Sequence, residues 1–261
     1  MEYRHLALSA EGPVLRVALN RPEVRNALDE TTIAELTDCF RRLGKRPVAG
    51  RRAVLLCGAG PAFCAGGDAR WMRRTAAYTR AQNRKDALSL ARMFEAVEAC
   101  PLPVIGKVHG SAYGGGLGLV AACDLVVVEN SARLSFSECR LGIYPAVIST
   151  FVLPKIGLSH ARRLFLSGEV FGAALAVRIG LAHESADTDR LEARIAAWVE
   201  DIRRGGPAAV AAAKGFLRAT AALPTRAKRI AFSAGALAAV RSSPEGKEGL
   251  AAFLEKRPPS W

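Results

Sequence analysis

The chain has 261 residues, 50% hydrophobic and 23% charged, ordinary globular proportions that exclude disordered, collagen-like and coiled-coil classes and suit one large domain, with or without an appendage. Lys and Arg total 37 against 24 Asp and Glu, a net charge of +13, which favours anionic partners without choosing among nucleic acid, anionic lipid and phosphorylated small molecules. No run approaches the ~20 apolar residues of a membrane span, and Met1-Glu2-Tyr3-Arg4-His5 lacks the basic-then-apolar layout of a signal peptide, so a cytoplasmic location is expected.

Tyr3 to Ser9 and Val14 to Leu19 read as a hairpin joined by Ala10-Glu11-Gly12-Pro13. After a turn at Asn20-Arg21-Pro22, Asp29 is placed to cap a helix running to about Leu43, with Gly44 as its stop. Ala53 to Cys57 is a buried-looking strand ending in the loop Gly58-Ala59-Gly60-Pro61, and one long polar helical stretch covers Asp68 to about Ala99. Cys100-Pro101-Leu102-Pro103 breaks it. Val104 to Val108 is the next strand; the loop Gly110-Ser111-Ala112-Tyr113 leads into Gly114-Gly115-Gly116 and a small-residue helix ending near Cys123; Asp124 to Val128 is a third strand. This alternation predicts an α/β domain with right-handed crossovers.

From about Gly157 the text becomes Ala-rich and helical, with one short apolar piece at Ile179 to His183. Pro207 suits the first turn of one helix, and Ser243-Pro244-Glu245 supplies a cap, a first-turn proline and a first-turn acid for another. The apolar face of such a tail packs either on its own domain or on another subunit.

The Arg pairs 41-42, 51-52, 73-74 and 162-163 are scattered, as on solvated faces rather than in a nucleic-acid tract. Cys39, Cys57, Cys64, Cys100, Cys123 and Cys139 form no C-x-x-C pair. They read as buried, reduced thiols, neither disulfides nor a metal site.

Two glycine-rich loops stand between strand and helix. In Pro61 to Asp68 the backbone N–H of Gly67 is free to face a ligand; Gly114-Gly115-Gly116 opens a helix, where unpaired N–H groups and the helix dipole favour negative charge. Together they form a candidate oxyanion hole for a thioester enolate. Neither has the lysine or spacing of a P-loop or dinucleotide fingerprint, and such glycines also serve tight turns or close packing.

Asn20-Arg21-Pro22, Asn26-Ala27-Leu28, Phe63 to Asp68, Gly110 to Asp124, Ser137-Glu138 to Gly142-Ile143 and Ala252 to Arg257 occur in the order of the crotonase (enoyl-CoA hydratase/isomerase) superfamily, which the whole chain resembles. The resemblance implies an α/β fold, a ClpP/crotonase-like spiral of ββα units over residues 1–200. A C-terminal helical trimerisation region over 201–261, a homotrimer or dimer of trimers, and an acyl-CoA thioester substrate are implied with it. It requires no cofactor, the coenzyme A being part of the substrate. Gly67 and Gly115 would hold the thioester oxygen. Hydratases of the family carry two glutamates; here the first position is Gly118 and the second matches Glu138. One carboxylate serves both as base and as acid if it reaches both positions, and Δ3,Δ2-enoyl-CoA isomerases of the family use one.

The stretches 114–124 and 138–149, with Asp68 to Met72, resemble the bacterial methylglutaconyl-CoA hydratase-like branch of leucine and acyclic-terpene catabolism. That inclines the reading to a hydratase, with Arg70 or Arg140 available to pair with a second substrate carboxylate, against the alternatives of an isomerase and a catalytically silent, basic RNA-binding homologue. Glu138, in a pocket partly lined by Phe136, Ile143 and Val147, is expected to have a carboxyl raised by desolvation. Glu23, Val24 and Arg25 would meet the adenine, and Phe253 and Lys256 of a neighbouring subunit the CoA. Ala65, Asp68 and Tyr113 complete the expected substrate contacts. Core packing is the default for Tyr113, Cys139 and Tyr144, and His109 is expected to be structural.

Overall fold

The computed structural model describes residues 2–45 and 50–261, so Met1 of the N-terminal reading lies outside it. β1 (Leu6–Glu11) and β2 (Val14–Leu19) pair antiparallel across Gly12-Pro13, with Leu6 opposite Leu19. The first strand begins at Leu6 rather than Tyr3, whose hydroxyl donates to Asp38 at 2.9 Å. α1 (Glu30–Lys45) starts behind Asp29, which accepts the Thr32 N–H at 2.8 Å. Gly44 lies inside α1 and is not its stop. The buried stripe Ile33, Leu36, Phe40 and Leu43 carries the helix past one glycine, whose penalty is only about 1 kcal/mol.

β3 (Ala53–Gly58) is followed by two helices, α2 (Ala69–Thr75) and α3 (Arg80–Glu98), where the sequence suggested one. The break is chemical: Thr79 and Gln82 form a reciprocal capping box that starts α3 afresh. β4 (Val104–Val108) precedes β5 (Ser111–Tyr113), a strand inside the expected loop. Then come α4 (Gly115–Ala122), β6 (Leu125–Glu129), β7 (Arg133–Ser135) and α5 (Ala146–Ser167), so helix begins at Ala146, ahead of Gly157. Gly157, at φ +68, kinks α5. α6 (Ala173–Arg178) leads to β8 (Glu184–Ala186), placed just beyond the apolar piece at Ile179 to His183.

The main sheet has the order β1-β2-β3-β4-β6-β8, parallel from β2 onward; β5 and β7 form a second, two-stranded parallel sheet. Strands buried on both faces need apolar residues at every position. In β3, Val54 and Leu56 join a core with α1, α3, α4 and α5, while Ala53 and Leu55 face the opposite cluster, with Leu191, Ile195 and Val199 of α7 (Leu191–Arg204).

α8 (Pro207–Ala222), α9 (Arg226–Ser242) and α10 (Pro244–Leu254) complete the chain, with Pro207 in the first turn of α8 and Ser243 capping α10 at 3.0 Å. Lys214 of α8 pairs with Asp124 at 2.6 Å, and Glu245 accepts the Ala208 and Ala209 N–H groups at 3.0 and 2.7 Å. The tail is thus tied to its own body, yet Leu217, Ile230, Leu237, Phe253 and Leu254 stay exposed. All six cysteines are free thiols; five are buried and Cys139 is half-buried. Among the described residues no helix is long and apolar enough to cross a membrane.

Candidate active site

The two glycine loops meet. Cys64 donates to the Ser111 carbonyl at 3.1 Å, and Tyr113 donates back to the Cys64 carbonyl at 3.0 Å. Behind the first loop, the Leu28 N–H donates to Gly66 O at 2.7 Å and the Leu28 carbonyl accepts from Asp68 N at 2.8 Å. These bonds clamp the residues on either side of Gly67, leaving its own N–H without an acceptor among the described residues. Gly114, at φ +47, donates to Ser135 O at 3.0 Å, so α4 starts at Gly115 with the first unpaired N–H of the helix. Gly67 and Gly115 both line one cavity of about 400 Å³.

Glu138 lines the same cavity from a 3-10 turn, Ser137–Leu141. A Cβ on Gly114 would stand 3.2 Å from its Oε1, and its Oε2 is buried with no hydrogen-bond partner among the described residues. Desolvation holds the carboxyl above the usual carboxylate range, as expected. A half-buried acid beside two unpaired backbone donors suits proton transfer to and from an atom next to a developing oxyanion.

The expected first-glutamate position is closed. A Cβ on Gly118 would lie 2.6 Å from both Ile148 Cγ2 and Phe94 Cζ. Gly118→Glu is therefore expected to destabilise the fold by about 3 kcal/mol or more through overpacking and a buried charge. Urea unfolding measures the loss, and adding Ile148→Ala should recover part of it.

Several expectations need correction. Asp68, expected among the substrate contacts, is not among the described residues lining the cavity: it is buried, caps α2 by accepting from Arg70 N and Trp71 N at 2.8 and 3.3 Å, and pairs with Arg21 at 2.9 Å. Asp68→Ala is expected to cost about 2–4 kcal/mol, a lost cap plus a partly unpaired buried guanidinium, read by urea titration. Phe136 faces the core, 4.8 Å from the Phe165 ring centroid, while Ile143 and Val147 do line the cavity. Tyr144 is 73% exposed at the cavity rather than packed in the core, and Tyr113 lines it too. Cys139 does not line it.

No Arg, Lys or His is among the described residues lining the cavity. Arg70 lies on α2 outside it, and the Arg140 side chain lies beside Gly168. His109 makes a 2.9 Å hydrogen bond with the Gly60 carbonyl, the structural role expected. Ala65 lines the cavity and donates to the Arg25 carbonyl at 2.9 Å, placing the exposed turn Glu23-Val24-Arg25 next to it without making that turn part of the wall. Phe253 and Lys256 are exposed and also outside the wall.

Trp71, Met72, Thr75, Asn83, Asp86 and Leu90 line the cavity and were not anticipated as substrate contacts. The legible signal was the spacing Asp86, Leu90, Phe94, one face of a helix.

The enoyl-CoA hydratase/isomerase family model matches residues 9–261. A Thermus thermophilus protein with the provisional name enoyl-CoA hydratase is 36% identical over 96% of this chain and 98% of its own. The crotonyl-CoA hydratase of Syntrophomonas wolfei is 30% identical over 98% and 97%. The crystal structure of an enoyl-CoA hydratase from Shewanella pealeana superposes with a TM-score of 0.94 at 32% identity, covering 100% of this chain and 97% of that one.

Proposed function

The chain belongs to the enoyl-CoA hydratase/isomerase family and is an enzyme of the α/β crotonase fold, and from that premise we propose that it adds water to a 2-enoyl-CoA thioester with an uncharged acyl chain. The observation that carries the reading is Glu138, half-buried against Gly114 in the cavity that Gly67 and Gly115 also line. The Glu138 carboxylate takes a proton from water as the water oxygen bonds to C3. The π electrons of the double bond then pass to the thioester as an enolate. Its oxygen is held by the two N–H groups, each such donor typically worth about 2.7–4 kcal/mol of barrier. The protonated Glu138 returns its proton to C2, so one carboxyl serves both steps. The named hydratases among the relatives support water addition.

The lack of a cation among the cavity-lining residues favours a neutral chain over 3-methylglutaconyl-CoA. The filled space at Gly118 favours a second reading, Δ3,Δ2-enoyl-CoA isomerisation, in which Glu138 removes a proton from C2 and returns it at C4. RNA binding without turnover has no such feature behind it, since the Arg pairs are dispersed. Exposed Phe253, Lys256 and the apolar face of the helices in 201–261 support assembly into a trimer or dimer of trimers in which a neighbour completes the CoA site, with Glu23 to Arg25 meeting the adenine. Free buried thiols support a reducing, cytoplasmic setting.

Mass-resolved product analysis with matched 2-enoyl- and 3-enoyl-CoA thioesters tests the reading. A hydrated product, lost in Glu138→Gln, supports the hydratase; double-bond migration without added water establishes the isomerase; no turnover of either overturns both.

A further inference from the structure

The cavity extends outward along α3. Asn83, Asp86, Ala87 and Leu90 of α3 line it, and Asp86 stands two turns from Phe94, which packs against Gly118, about 12 Å along the helix axis. Trp71 connects this outer point to the oxyanion loop. Its Cζ3 lies 3.6 Å from a Cβ on Gly67, and Nε1, on the opposite edge of the indole, donates to Asp86 Oδ1 at 3.2 Å. That is the single hydrogen bond the Asp86 carboxylate accepts among the described residues. Thr75 and Asn83 line the cavity beside it. Burial and the charge of Glu30 hold its carboxyl above the usual range, and no cation is among the described residues of this wall.

Resting on the acyl-CoA reading above, we propose that Asp86 reads the far end of the acyl chain, rejecting one that ends in a carboxylate and favouring one that ends in a hydroxyl. A terminal carboxylate here would meet the Asp86 carboxylate, with no Arg, Lys or His among the described residues of this wall to offset it; Arg41 and Arg92 share only a second hollow with Asp86. A terminal hydroxyl would donate to the lone pairs that Trp71 leaves free, and a polar group built into a pocket discriminates against the analogue that lacks the matching donor. Thr75 and Asn83 extend the same polar end.

The test uses saturated thioesters, whose binding is read by calorimetry without turnover: hexanoyl-CoA, 6-hydroxyhexanoyl-CoA and adipoyl-CoA, which differ only at the chain end. In the unaltered protein the hydroxylated chain is expected to bind about tenfold tighter than the plain one, and the dicarboxylic one at least tenfold weaker. Asp86→Ala should bring the three together. Asp86→Asn, which keeps an acceptor for Trp71 and for the hydroxyl but removes the charge, should restore adipoyl-CoA binding and keep the hydroxyl preference. Equal affinities in the unaltered protein, or a ranking that survives Asp86→Ala, would overturn the assignment. Hydration of hex-2-enoyl-CoA, assayed in parallel, judges the hydratase reading separately, because the ranking of affinities stands or falls without it.

Discussion

Glu138→Gln is expected to lower kcat by about 10²–10⁴-fold, the usual contribution of a positioned proton-transfer group, with a much smaller change in KM. Gln keeps the shape of the side chain and its place beside Gly114, so binding through the two backbone donors persists while the proton has nowhere to go. Because desolvation raises the carboxyl above its ordinary 4.5, the acid limb of the kcat/KM profile should be displaced upward, activity falling as the base form is lost. The same shift acts on stability with the opposite preference. A carboxyl whose folded pKa exceeds its unfolded one stabilises the fold while protonated, and that contribution is lost as pH rises from 4.5 through the folded value. At neutral pH the ionised side chain is therefore a net cost, and Glu138→Gln should melt higher than the unaltered protein; below pH 4 the difference should vanish. A variant that both loses turnover and gains thermal stability at pH 7 is hard to explain by misfolding. An unchanged Tm with full activity would remove Glu138 from the mechanism.

Gly116→Ala is the second large effect. Its added Cβ would lie 2.6 Å from the Cys64 carbonyl oxygen and 3.0 Å from the Cys64 Cβ. Cys64 is bound by backbone hydrogen bonds to β5 and cannot swing aside as a surface side chain would. The methyl must push the two glycine loops apart, shifting Gly67 relative to Gly115. Misplacement of catalytic groups by about 1 Å costs of order 10²-fold, and overpacking costs about 1–3 kcal/mol. Both a fall in kcat and a lower urea midpoint are expected. Gly215→Ala on α8, where the new atom meets nothing within 4 Å, is the control, and it should stabilise by about 0.5–1 kcal/mol without touching turnover.

The parts of this molecule that were legible beforehand are those where local chemistry and tertiary packing agree. Val104 to Val108 is a strand in both readings because β-branched Val104, Ile105 and Val108 are buried in the sheet and prolines before and a glycine turn after it bound the run. Asp29, Pro207 and Ser243 mark helix starts because their side chains satisfy, or in the case of proline remove, donors that every helix start leaves unpaired. Gly44 and Tyr3 misled because a buried stripe and a long-range hydrogen bond to Asp38 outweighed a weak local preference. β5 hid in a loop because three residues pair with β7, some twenty positions away, and carry no periodicity of their own.

The same division runs through the site. Gly67, Gly115 and Glu138, singled out by their motifs, line one cavity. Asp68, in the middle of a motif, turned out to cap α2 and hold Arg21, since a motif fixes order in the chain without saying which atoms face the ligand. Asp86 was overlooked because one acid in a polar helix looks solvated; only the position of Trp71 across from it, fifteen residues earlier, turns it into a wall.

The free thiols offer a way to watch this architecture open. Burial pushes Cys39, Cys64 and Cys123 up to about 12, and also raises Cys57 and Cys100. A thiol alkylates through its thiolate, so in the folded chain only half-buried Cys139 should label promptly with a maleimide. The other five report from α1, β3, the first glycine loop, the α3–β4 turn and the end of α4. Each becomes reactive when its own neighbourhood unfolds. The order in which they label in low urea, followed by peptide mass, would rank these regions by local stability, with Cys64 reporting directly on the loop that presents Gly67.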